Sequence, residues 1–190
     1  QQEFENTKDN KYKKLISRYN NIQMARKISL NSAYGAIGNQ YFRYYDKAIA
    51  EGITKSGQLS IRWIENKLNK YLNNVLKTDD DYVIASDTDS VYLTLDKLVT
   101  KTIKSDNALS KTINFLDKVA SESIEPYITK SYDELKQYTN AFANKMFMKR
   151  EVIADKGIWV AKKRYILNVW DSEGVSYKEP KLKMMGIEAV

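Results

Sequence analysis

Apolar residues recur at helical spacing through residues 11–34, where Leu15, Tyr19, Ile22, Ala25, Ile28 and Leu30 punctuate a stretch without Pro or Gly. That period predicts one helix. Gly35 is its expected stop, because glycine readily takes the left-handed conformation that ends a helix. Residues 36–45, rich in Gly and aromatics, predict a connector. Asp46 is a candidate N-cap, its carboxylate suited to the free amides of a helix start. The helix behind it runs to about Leu76, with Ile49, Ile53, Ser60, Ile64, Leu68 and Leu72 as one stripe. Gly52 and Gly57 weaken its middle and suggest close packing on a neighbour.

The pattern then changes. Lys77 to Asp81 is a charged turn, and residues 82–86 and 91–95 carry the β-branched and aromatic residues of two hairpin arms. Helical spacing returns over 107–121 and 124–138, with Pro126 near the start of the second segment. Residues 142–154 and 158–170 predict two strands around Asp155-Lys156-Gly157. A turn at Asp171-Ser172-Glu173-Gly174 leads to Val175-Ser176-Tyr177 and a last short strand near 181–188. Residues 1–10 are polar and expected to fray. No repeat, low-complexity tract or linker interrupts the chain. Two long helices, a hairpin, two helices and then antiparallel strands predict an α+β fold, an antiparallel sheet with helices packed on one face.

With 190 residues, 43% of them hydrophobic, the chain can bury the core of one domain or slightly more. A net charge of +7 favours anionic partners: nucleic acid, nucleotides or an acidic membrane surface. No apolar run approaches the roughly 20 residues that span a bilayer, and no secretory pattern opens the chain. Cys and His are both absent. That excludes disulfides, thiolate chemistry, the commonest general base and the usual zinc ligands, and it is compatible with a reducing compartment. Any catalysis must use carboxylates, Lys, Arg, Tyr or hydroxyls, which points to oxygen-ligated magnesium or manganese. The 14 Tyr could stack on bases, although covering a half-buried surface is their more ordinary use.

The candidate chemistry concentrates in Ser86-Asp87-Thr88-Asp89-Ser90, between the apolar runs 82–85 and 91–95. Residues two apart in extended chain share a face, so Asp87 and Asp89 can aim at one point, where a cation would relieve their repulsion. An ordinary Asp-rich turn is the alternative, although Thr88 is not a residue type usual at positive φ in a hairpin. Lys27, Asn31 and Tyr34 fall within about 60° of one another on a helical wheel. Lys27 could hold a triphosphate as a point charge, Asn31 and Tyr34 could meet its sugar or base, and Gly35 would let a base pair approach the backbone. A solvated Lys, a capping Asn and a core Tyr would have the same spacing. Lys162-Lys163-Arg164-Tyr165 lies inside a predicted strand, where alternation places Lys163 and Tyr165 on one face and Lys162 and Arg164 on the other. Such a strand could track a nucleic-acid backbone, or guard a sheet edge against aggregation. Lys156, Lys178, Lys181 and Lys183 extend the basic zone. Glu151 is a further candidate metal ligand, set against an ordinary cross-strand ion pair.

Together and in this order, the motifs resemble family B DNA polymerases of the T-even phage type. Lys27-X-X-X-Asn31-Ser32-X-Tyr34-Gly35 is similar to that family's fingers-helix motif, Asp87-Thr88-Asp89-Ser90 to its metal-binding palm hairpin, and Lys162-Lys163-Arg164-Tyr165 to the palm strand that contacts the primer–template minor groove. Phe42-Arg43-Tyr44-Tyr45-Asp46 and Lys183-Met184-Met185-Gly186-Ile187-Glu188 match connecting segments of the subgroup. The likeness runs from about residue 12 to the end. It implies a partial fingers helix over 1–35 and the C-terminal part of a palm over 36–190, ending near the start of a thumb.

The resemblance also implies roles. Asp89 would be a principal ligand of two magnesium ions (manganese being an alternative), with Asp87 its less direct neighbour. Lys27 would contact the incoming dNTP, Asn31, Tyr34 and Gly35 would shape the nascent base-pair pocket, and Lys162, Lys163, Arg164 and Tyr165 would hold primer–template DNA. Action in the cytoplasm is expected, that of the host cell for a phage gene. Ala85-Ser86 stands where many members have Tyr-Gly, and Ala33 replaces a larger apolar residue. The family's Asp-X-X-Ser-Leu-Tyr-Pro motif, source of a second metal-binding aspartate, is not found. A fragment, one piece of a split polymerase, or a degenerate relative is therefore expected, inactive without the N-terminal part. The competing readings are a non-catalytic nucleic-acid-binding module and an Asp-X-Asp glycosyltransferase using manganese and a nucleotide-sugar.

Overall fold

A computed structural model describes residues 8–103 and 109–187. The expected frayed stretch 1–10 lies mostly outside them, as does the start of the helix expected from residue 107. The elements are α1 (Asn10–Ile37), α2 (Lys47–Leu76), β1 (Val83–Asp87), β2 (Ser90–Leu93), α3 (Asp96–Thr102), α4 (Leu109–Val119), a π-helical turn (Ala120–Ile124), α5 (Glu125–Tyr138), β3 (Val152–Ala161), β4 (Arg164–Ser172) and β5 (Val175–Met185). The fold is α+β as expected, with antiparallel sheets β1-β2 and β3-β4-β5. Chain contacts define two compact units, Gln1–Ser56 and Gly57–Val190.

In the first unit, Asp9 caps α1 by accepting from the Lys11 amide at 2.9 Å. The helix continues through Gly35 and ends at Gly38, whose amide reaches the Ala36 and Tyr34 carbonyls. Gly35 is therefore helical and not the stop. Glycine only weakens a helix, by about 1 kcal/mol against Ala, and two further helical residues with the Gly38 cap hold the turn. No residue of α1 is buried, and its apolar positions Tyr19, Ile22, Ile28 and Leu30 are exposed. Asp46 caps the next helix as expected, accepting from the Ile49 amide at 3.0 Å.

Along α2, burial begins at Ser60 and continues through Ile64, Leu68, Leu72 and Leu76, whereas Ile49 and Ile53 are exposed. Ile64 and Leu68 pack with Ile124, Ile128, Tyr132 and Leu135 from the π turn and α5. Leu72 and Leu76 pack with Tyr82. The segments expected at 107–121 and 124–138 join through the π turn, with Pro126 in the first turn of α5.

Strand β2 uses its two faces differently. Val91 and Leu93 lie against the helical core, while Tyr92 lies against Tyr165, Leu167 and Val169 of β4. Period-two alternation thus places the β1-β2 hairpin between the helices and the larger sheet. Two asparagines on α2 fix its entry. The Asn69 side-chain oxygen accepts from the Tyr82 amide at 2.8 Å and the Val83 amide at 3.2 Å. Asn73 brackets Asp80, accepting from its amide at 2.9 Å and donating to its carbonyl at 2.8 Å.

The larger sheet departs from expectation. Strands β3 and β4 pair from Val152↔Ser172 to Ala161↔Arg164, so the hairpin turns at Lys162-Lys163 and not at Asp155-Lys156-Gly157. The latter reads like a turn because it is polar and holds a glycine, but Gly157 has another use. A Cβ there would lie 2.7 Å from the Trp159 ring and 2.8 Å from Leu167. Residues 142–150 are irregular, and β5 is one strand where two pieces are expected. The turn at Glu173-Gly174 falls where expected, both residues having positive φ.

Candidate nucleotidyl-transfer and nucleic-acid site

The acidic motif forms the β1-β2 turn. Asp87 ends β1, Asp87↔Ser90 is the last pair, and Thr88-Asp89 make the loop. So short a closure forces Thr88 to φ 54°, against the expectation for its residue type. A β-branched residue there stores about 1–3 kcal/mol of strain. Local hydrogen bonds hold it: Thr88 Oγ1 donates to Asp87 Oδ1 at 3.0 Å, and the Asp89 amide and Ser90 Oγ donate to the Asp87 carbonyl at 2.6 and 3.0 Å. The Asp87 side chain is 24% exposed. Asp89 is exposed at the tip, close enough to Tyr132 to hold its hydroxyl proton more firmly, a smaller effect than that ring's burial.

The basic motif makes a turn facing the acidic one. Lys163 has φ 61°, and its Nζ lies 3.7 Å from Asp87 Oδ1. Because Lys163 sits in a turn, strand alternation does not pass through the motif. Lys162 and Arg164 are exposed, and the Lys163 side chain is 63% exposed. Tyr165 is 5% exposed, its ring centroid 5.5 Å from that of Tyr92. Trp159 completes the cluster, 5.3 Å from Tyr92. Tyr165 therefore offers no open face to a base and instead supports the acidic hairpin. Burial pushes the Tyr92 hydroxyl pKa well up, and its hydrogen bond with Tyr165 adds to this.

Glu151 precedes β3, at the end of that strand opposite the basic turn, and pairs with Lys183 at 3.6 Å. Among the described residues no group of three acidic side chains gathers to hold a metal, so Glu151 does not join Asp87 and Asp89. Lys181 is also engaged, over the Tyr177 ring at 4.0 Å. The aspartate pair fits a hard, oxygen-seeking cation in chemistry, and Asp87 already faces a positive charge in Lys163. It fits in number only as part of a larger ligand set.

In the other unit, Lys27 and Asn31 line an open groove along α1 with Tyr19, Gln23 and Arg26. Tyr34 is half-exposed, its hydroxyl 3.4 Å from Thr54 Oγ1 of α2. A Cβ at Gly35 would meet nothing within 4 Å. Gly35→Ala is therefore expected to stabilise α1 by about 1 kcal/mol, read as increased helicity by circular dichroism. A loss of helicity would mean that Gly35 is needed for the local backbone.

The sequence did not reveal the Asn69 and Asn73 brackets, or Tyr92 and Trp159 as supports. The period-two pattern of β2 was the available signal for Tyr92; an asparagine within a helix carries none until the turn it caps is located. Among the described residues, no helix is long and apolar enough to cross a membrane.

A family model described as DNA polymerase family B matches residues 1–125. The DNA-directed DNA polymerase of Escherichia phage RB69 is 47% identical over 176 residues, covering 87% of this chain and 20% of the relative. That of Enterobacteria phage T4 is 44% identical over 182 residues, covering 89% and 20%. A DNA polymerase of Choristoneura biennis entomopoxvirus is 24% identical over 147 residues, covering 63% and 15%. The chain thus spans about a fifth of the length of its phage relatives.

Proposed function

The chain belongs to DNA polymerase family B, and from that membership we propose that it is the C-terminal part of a polymerase palm with one fingers helix, acting in DNA-directed nucleotidyl transfer. The observation that carries this reading is the meeting of two distant motifs: Lys163 reaches Asp87 at 3.7 Å while Tyr165 supports Tyr92 behind it. Acidic groups for the reacting phosphate and basic groups for the primer thereby adjoin.

In this reading the primer 3′-hydroxyl oxygen attacks the α-phosphorus of a dNTP, and the bond to pyrophosphate breaks as the new P–O bond forms. Lys27 neutralises triphosphate charge, and Asn31 and Tyr34 border the nascent base pair over the open backbone of Gly35. Lys162, Lys163 and Arg164 hold the primer–template by its backbone and groove, so binding is independent of sequence. Asp87 and Asp89 would hold divalent cations, magnesium by preference. Bound there, these would stabilise charge on the attacking and leaving oxygens. The rest is positioning by the protein. Because no group of three carboxylates gathers among the described residues, the isolated chain is expected not to extend primers, and other polymerase segments are its expected partners. Metal-dependent extension by the purified chain would overturn that.

The direct test is anisotropy of a fluorescent primer–template duplex titrated with the chain at several salt concentrations. Binding should weaken steadily with salt. Lys163→Ala should weaken it about 3- to 10-fold on every sequence tried and lower the salt slope by about 1. No binding at low salt, or a loss confined to one sequence, would count against the reading.

A further inference from the structure

We propose that Gly186 is a positioning residue for the basic turn, and through it for the acidic turn; this deepens the nucleic-acid reading and rests on it. Strand β5 pairs Met185 with Tyr165, which brings the next residue alongside the Lys162-Lys163 turn. Gly186 has φ 63° there. A Cβ at this position would fall well inside 3.0 Å of the Lys163 carbonyl oxygen and 3.2 Å from Arg164 Cγ. The near neighbour is backbone, so a side chain cannot be accommodated by a rotamer change; the turn itself must move.

The turn has little freedom to move in place. Lys163 is in the left-handed region, which a non-glycine residue adopts at a cost, so its conformation depends on what surrounds it. Gly186 supplies one wall. On the other side Lys163 Nζ faces Asp87. A shift at the carbonyl therefore changes where the ammonium sits against the carboxylate, and where Lys162 and Arg164 sit against the duplex. The Met-Met-Gly segment that ends β5 thus sets the distance between the basic and acidic turns. Its glycine is required by close approach as well as by φ.

Gly174 provides an internal control. It has φ 84°, with nothing within 4 Å of a Cβ, so alanine there meets backbone strain but no neighbour. Gly186→Ala and Gly174→Ala would be compared in the full chain by duplex anisotropy and by amide NMR. The expected result is an approximately tenfold loss of duplex affinity for Gly186→Ala alone, in line with losing one or two phosphate contacts. Its amide shifts should extend from the turn to Asp87, Thr88 and Asp89. Equal effects of the two variants on affinity, or shifts confined to residues 162–164 and 184–187, would overturn the proposal.

If the unsubstituted chain fails to bind duplex, the duplex-holding reading falls, and the shifts at Asp87–Asp89 decide the positioning role by themselves. If Gly186→Ala does not fold, a chain ending at Met185 with an amidated C-terminus removes the wall without adding a side chain or a charge. Altered Asp87–Asp89 amides in that chain would uphold the proposal, and unaltered ones would overturn it.

Discussion

Asp171→Ala is expected to destabilise the chain by about 3 kcal/mol, the lower end of the cost of breaking a buried ion pair, because it strands the Ser176 and Gly174 donors and leaves Arg150 only the more exposed Asp117. Asp171 is 3% exposed. Its Oδ1 accepts from Arg150 Nη1 at 2.5 Å and from the Gly174 amide at 3.1 Å, and its Oδ2 from Ser176 Oγ at 2.7 Å. Arg150 in turn reaches Asp117 Oδ1 of α4 at 2.6 Å, and its amide donates to Glu125 Oε1 of α5 at 2.9 Å. Two ion pairs that share Arg150 thus join the β4-β5 turn, the approach to β3 and the helical layer. Domain stabilities are typically about 5–15 kcal/mol, so the loss should be plain in urea unfolding. The double variant Arg150→Met with Asp171→Leu should recover much of it, since apolar replacements leave no charge stranded. Loss of less than about 1 kcal/mol in the single variant would show that Asp117 and water satisfy Arg150 without this carboxylate.

The same group gives the acid limb of stability its sign. Burial by itself raises the Asp171 pKa, but hydrogen bonds from Ser176, Arg150 and Gly174 outweigh it and hold the carboxyl below its ordinary value. A depressed folded pKa means stability that is present above the unfolded pKa of about 4 and is lost as pH falls through the lower folded value. Asp171→Asn should therefore flatten the stability curve below about pH 4 while lowering its plateau.

What the sequence could reveal follows from the range of each cause. The α2 stripe from Ser60 to Leu76, the Asp46 cap and the hairpin around Asp87 were legible because spacing and cap chemistry are local. Gly35 looks like a stop in the sequence because a glycine within a helix and one beyond its end are alike until the cap is seen at Gly38. The Lys162-Lys163 turn was hidden for a related reason. Neither residue is a usual turn former, and its left-handed lysine is held by Gly186, which lies 23 residues along the chain. Tyr165 follows three basic residues in sequence, yet pairing with Trp159 and packing on Tyr92 turn it inward. Long-range contacts decide the last two, and a single sequence carries little trace of them.

In a polymerase completed with the segments that the phage relatives carry beyond this match, Asp89→Ala should reduce primer extension by about a thousandfold or more with little change in folding. Metal stabilisation of a transferring phosphoryl group is worth several kcal/mol, and about 4 kcal/mol corresponds to that factor. Asp89 can be removed without structural loss because it is exposed at the turn, and such substitutions change stability by about 0.5 kcal/mol or less. Removing its charge should also let the Tyr132 hydroxyl ionise somewhat more readily, burial remaining the larger restraint. Asp87→Ala makes the informative contrast. It frees Lys163 and takes away the acceptor of Thr88 Oγ1, so it should disturb the turn as well as the chemistry. Single-turnover extension with magnesium, beside urea unfolding of each variant, separates the two. Extension by Asp89→Ala within tenfold of the unsubstituted enzyme would remove Asp89 from the metal site and leave the paired turns as a duplex-holding surface alone.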